Sequence, residues 1–128
     1  MPSLELRPES ASPGKARGFV RQLMEEWGIQ AEVAVDAELL VTELVTNSVT
    51  HARSPVRLEV EIAEDVIEFS VSDRSTREVQ LRIPGPDATT GRGILLLDRL
   101  ASEWEVVPEA GGKTVRFRMA TTIGSSVQ

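Results

Sequence analysis

Between Leu39 and Val49 the apolar residues Leu39, Leu40, Val41, Leu44, Val45 and Val49 recur with the spacing of a helix that lays one face on a core. Glu43, Asn47 and His51 enter that run at four-residue intervals. At ~100° per residue a four-residue step advances only ~40°, so the three form one polar stripe along the edge of the apolar face. Burying such groups unpaired is costly, so the stripe implies something polar facing it. The pattern predicts a helix opening at Asp36 or a nearby residue, running to about His51 and broken by Ser54-Pro55.

Around this helix the pattern predicts the following elements. Leu4-Glu5-Leu6-Arg7 alternates as a short edge strand closed by Pro8. Ser10 to Pro13 reads as a helix start with a hydroxyl cap and an early proline. That helix runs through Phe19, Val20, Leu23, Met24 and Trp27 and stops at Gly28. From Val56 the period becomes two, with Val56, Leu58, Val60 and Ile62 on one face and a turn at Glu64-Asp65. The returning strand puts Ile67, Phe69 and Val71 inward, and Asp73 continues that phase as either a loop cap or a ligand contact.

Residues 74 to 90 read as a long loop with a weak alternation at Val79, Leu81 and Ile83. The loop ends at Gly91-Arg92-Gly93, which leads into a helix from Ile94 to about Leu100. Glycines there let bare N–H groups approach an anion, and the helix dipole favours negative charge. Trp104 to Val107 and Lys113 to Met119 form a hairpin turning over Glu109 to Gly112. Its second strand puts Val115, Phe117 and Met119 inward and Thr114, Arg116 and Arg118 outward. The predicted fold is one α/β domain, a two-layer sandwich with a mixed, mostly antiparallel sheet covered on one face by helices. Its core spans about 12–119, and residues 120–128 read as a frayed tail.

Composition narrows the function. The net charge of −6, without a basic block, argues against direct nucleic-acid binding, because phosphate neutralisation dominates such affinity. No cysteine is present, which excludes thiolate chemistry and fits a reducing compartment. With one histidine, a multi-histidine metal site cannot form within one chain. No apolar run approaches the ~20 residues of a membrane span, and the N-terminus lacks a signal-peptide pattern. The expected location is cytoplasmic.

The succession of Glu43-Leu-Val-Thr-Asn47-Ser-Val-Thr-His51-Ala52, a strand ending in Asp73, Gly91-Arg-Gly-Ile-Leu-Leu-Leu and Gly112-Lys-Thr-Val resembles the histidine-kinase-like ATP-binding domain. The match is to its N box, its second glycine box and its last box, and the branch it resembles most is that of the anti-sigma-factor serine kinases. The resemblance implies ATP and Mg²⁺ as cofactors. By the same resemblance Asn47 would hold Mg²⁺ and Asp73 would accept a hydrogen bond from the adenine amino group, assisted by Thr114. Gly91, Arg92 and Gly93 would line the phosphates, Glu43 would be the general base, and His51 would brace the helix end. The family's first glycine box, Asp-x-Gly-x-Gly, departs here to Asp73-Arg74-Ser75-Thr76-Arg77.

Two functions follow from the resemblance. One is a serine kinase that sequesters a sigma factor and phosphorylates an anti-sigma-factor antagonist protein, with a homodimer as the candidate assembly. The other is a non-catalytic partner-binding module with weak or no nucleotide binding, motivated by the degenerate glycine box. A sensor histidine kinase fragment is poorly matched, because no dimerising hairpin with a phosphoacceptor histidine is seen.

Overall fold

The computed structural model describes residues 1–74 and 92–121, with side chains from 96 onward in the second stretch. The elements run β1 (Ser3–Leu6), α1 (Ser12–Glu26), α2 (Ala31–Asn47), a π turn (Ser48–Ala52), β2 (Val56–Ala63), β3 (Val66–Asp73), α3 (Arg92–Leu100), β4 (Glu103–Glu109) and β5 (Gly112–Ala120). The strands form one sheet in the order β1-β2-β3-β5-β4, with every pairing among the described residues antiparallel. This is the expected two-layer α/β arrangement. The expected loop strand at Val79, Leu81 and Ile83 lies outside the described residues, as does the tail beyond Thr121.

Alternation decides the two faces of the sheet. Leu58, Val60, Ile67, Phe69, Val71, Val115, Phe117 and Met119 are buried together with Val20, Leu23 and Met24 of α1 and Leu40, Val41, Leu44 and Val45 of α2. Leu97 of α3 joins them, and Trp104 donates to Asp98 at 2.7 Å, tying α3 to β4. At the centre the Phe69 and Phe117 rings stack, with centroids 4.7 Å apart, on directly paired positions of β3 and β5. The opposite face carries ion pairs instead, including Arg118 with Glu68 and Glu103, and Arg116 with Glu105. Hydrogen bonds to Glu59 and Glu103 raise the pKa of Arg57 and Arg118 above an already high value, so both guanidiniums stay charged across the physiological range.

Helix boundaries differ from expectation in two ways and agree in a third. Ser12 does not cap α1; Ala11 is the N-cap, and the buried Ser12 hydroxyl donates to the Arg7 carbonyl, tying α1 to the end of β1. The stop at Gly28 holds: its φ is 67°, Ile29 N–H reaches Met24 O at 2.9 Å, and Gly28 N–H reaches Glu25 O at 3.2 Å. That double bond pattern closes the helix C-terminus and turns the chain at once. Consequently α2 opens at Ala31, five residues before the expected Asp36, behind an extended Gln30 that makes no side-chain cap. Glu32 in its first turn favours the helix dipole, and no conventional cap was needed to start it.

Leu39, expected in the core, is 41% exposed, because its position falls off the face that Leu40, Val41 and Leu44 bury. Thr121, expected in the frayed tail, is buried instead; its N–H bonds Asp65 O at 2.8 Å and its hydroxyl bonds Gln30. No helix among the described residues is long and apolar enough to cross a membrane.

The stacked pair makes a direct prediction. Phe117→Ala removes a fully buried ring from the centre of the core and should lower unfolding stability by about 3–5 kcal/mol, read by urea denaturation.

Candidate functional site

Glu43 and Asn47 lie one turn apart on the last two turns of α2, both half-buried at the margin of its apolar face. The helix does not simply continue to His51. After Asn47 it widens into the π turn Ser48–Ala52, closed by Arg53 N–H to Ser48 O at 2.8 Å, with Arg53 left-handed at φ 52°. Single π turns of this kind recur at functional sites. The wider winding takes His51 off the line that an ideal helix draws through Glu43 and Asn47.

The turn's first residue makes the contact that builds the site. Ser48, 6% exposed, donates its hydroxyl to Asp73 Oδ2 at 2.7 Å, joining the end of α2 to the end of β3. Asp73 sits in the inward phase of β3, as expected, with its side chain 5% exposed. Opposite it in register is Lys113, whose Nζ donates to Oδ1 at 3.0 Å and Oδ2 at 3.1 Å. Beyond Asp73, the Arg74 N–H donates to the buried Ser54 Oγ at 2.9 Å, which ties the chain just past β3 to the segment that follows the π turn. A cleft of about 330 Å³ at this end of the sheet is lined by Arg57, Ser72, Asp73, Arg74, Glu109 and Gly112, among others.

Thr114 is not beside the Asp73 carboxylate. It pairs with Ser72, one residue earlier, and their hydroxyls bond at 2.7 Å. Adjacent residues of a strand point to opposite faces, so Thr114 and Asp73 lie on different sides of the sheet. The alternation that puts Val115 inward puts Lys113 inward too; the structure follows alternation rather than the resemblance. Thr114 does point outward, yet it is 3% exposed, so it is no ordinary surface residue. Arg92 and Gly93 open α3, while their side-chain environment and Gly91 lie outside the described residues.

Three participants were missed: Ser48, Ser54 and Lys113. Lys113 could have been found by counting, since pairing Val71 with Val115 across an antiparallel ladder forces Asp73 onto Lys113. Ser48 could not, because an ideal α-helix does not foretell a π turn after Asn47. Gly112 has a steric reason to be glycine: a Cβ there would lie 2.2 Å from the Asp73 carbonyl oxygen. Gly112→Ala must therefore push the two strand ends apart and should cost about 1–3 kcal/mol, measured by urea denaturation.

Comparison with known proteins places this geometry in a family. Residues 4–119 match the family described as the histidine kinase-like ATPase domain. No curated protein matches. Among solved structures, the RsbU and RsbW domains of Rv1364c from Mycobacterium tuberculosis superpose with a TM-score of 0.73 at 20% sequence identity. The alignment covers 94% of this chain and 33% of that one, so this chain spans about a third of its length. At that identity the likeness concerns the fold. With the family match extending from β1 nearly to the end of β5, the chain belongs to the histidine kinase-like ATPase family.

Proposed function

We propose that this domain binds ATP with Mg²⁺ beside the end of α2 and uses it to phosphorylate a serine on an anti-sigma-factor antagonist, while sequestering a sigma factor. The observation that carries the reading is the junction at which α2 presents Glu43 and Asn47 and its next residue, Ser48, bonds Asp73 at the end of β3. The junction supports the reading by bringing a carboxylate, an amide and a buried carboxylate to one end of α2.

These residues fit the cofactor in kind. The described residues contain no group of three or more His, Cys, Asp or Glu able to hold a metal. Asn47 would offer its amide oxygen to a hard cation such as Mg²⁺, which is commonly held beside a nucleotide by few protein ligands. Asp73 accepts from the base amino group, and the α3 start at Arg92, following Gly91, offers an N-terminus suited to phosphate. When bound, ATP supplies the transferable phosphoryl group. Glu43 would take the proton from the partner's serine hydroxyl as that oxygen bonds the γ-phosphorus and ADP leaves, and Asn47, one turn away, would hold the cation. Thr114 supports the strand end from the outer face through Ser72.

A second reading has its own observation. Asp73 already binds Lys113, and Ser75 and Arg77 stand in the sequence where the family's first box has its two glycines, so a partner-binding module with little nucleotide affinity is the alternative. Calorimetry separates the two: absence of ATP·Mg²⁺ binding at millimolar ligand would leave only the module. For the kinase, incubation with radiolabelled ATP, Mg²⁺ and the antagonist should label serine. Glu43→Ala should reduce labelling by about 100-fold or more while nucleotide affinity stays within a factor of about two. Labelling that persists in the variant would remove Glu43 from the base role.

A further inference from the structure

Lys113 stands where the inward alternation of β5 otherwise provides Val115, Phe117 and Met119. Its side chain is 13% exposed and that of Asp73 is 5% exposed, so the ammonium and carboxylate face each other largely out of water. An apolar residue would fill such a position without the desolvation that a buried charge brings. The carboxylate is also heavily engaged. Lys113 bonds both oxygens, Ser48 bonds Oδ2, and the residue makes a further interaction besides.

We propose that Lys113 is an affinity-determining residue: its ammonium holds Asp73 in an internal ion pair that a 6-aminopurine must displace to bind. This rests on the reading of Asp73 as the acceptor for the base. The exocyclic amino group of adenine is a neutral donor, whereas the ammonium adds a full opposite charge to its two hydrogen bonds with the carboxylate. The base therefore gains little from Asp73 while Lys113 remains in place. The direction is opposite to ordinary electrostatics, in which removing a cation near a triphosphate weakens binding.

The test is calorimetry on the full chain and on Lys113→Met and Lys113→Thr, with thermal unfolding run alongside to establish that each is folded. The ligands are ATP·Mg²⁺, purine riboside triphosphate·Mg²⁺, which lacks the 6-amino group, and inorganic tripolyphosphate·Mg²⁺. Both variants should bind ATP about tenfold more tightly than the unaltered chain, the size of one hydrogen bond to a charged group. Tripolyphosphate affinity should not rise. In the unaltered chain, loss of the 6-amino group should change affinity by less than about threefold, and in the variants by about tenfold.

Unchanged or weaker ATP binding in the folded variants overturns the role of Lys113 alone. So does strong discrimination for the 6-amino group by the unaltered chain, a measurement that needs no variant to fold. If neither the unaltered chain nor any folded variant binds ATP at millimolar concentration, the nucleotide reading itself falls and takes this one with it.

Discussion

Phe69 and Phe117 stack across β3 and β5 with their ring planes within 12° of each other, and the phase of both strands follows from that contact. Side chains alternate along a strand, so a slip of one residue would turn every apolar position of β5 to the wrong face. With Phe69 opposite Phe117, Val71 must face Val115 and Asp73 must face Lys113. An aromatic pair in the core thus determines which charged group meets the carboxylate two pairs further along. The chemistry at the strand end is a consequence of packing at its middle.

The second constraint joins the layers. A helix lying on a sheet contacts it through apolar side chains, which set distance and tilt but permit sliding. Ser48 adds a directional bond to Asp73, and the π turn is what delivers it. Removing one partner from such a buried polar contact leaves the other without compensation, so the junction is more specific than the apolar contacts around it. Ser54 adds another tie, receiving the Arg74 N–H. Glu43 and Asn47 therefore occupy a helix end whose placement relative to β3 is held by polar geometry as well as by area.

The two faces of the sheet divide the work. Helices cover the inner face, and Asp73 emerges at its edge with Lys113 and Ser48. The outer face is laced with arginine–carboxylate pairs exposed to solvent, where water and salt screen them and little stability comes from each. Thr114 and Ser72 belong to that side, although both stand next in sequence to the residues of the ion pair. Proximity in sequence and proximity in the site are separated by the pleat.

Much of this was legible from the residues alone. The period of two predicts β2, β3 and β5 with the correct inward sets, and the run from Leu39 to Val49 predicts the buried face of α2 except at Leu39, because apolar burial imposes those periods wherever a single core exists. Gly28 and Pro13 marked the ends of α1 through backbone restrictions that need no partner. The start of α2 was not legible, since a closed α1 terminus and Gln30 replaced the expected cap. At the site, the stripe of Glu43 and Asn47 and the inward phase of Asp73 could be read, because they depend on position along one element. What Asp73 touches could not be read from β3 alone. Its partners, Lys113 and Ser48, come from a distant strand and from a π turn, and only register and packing between elements bring those three side chains together.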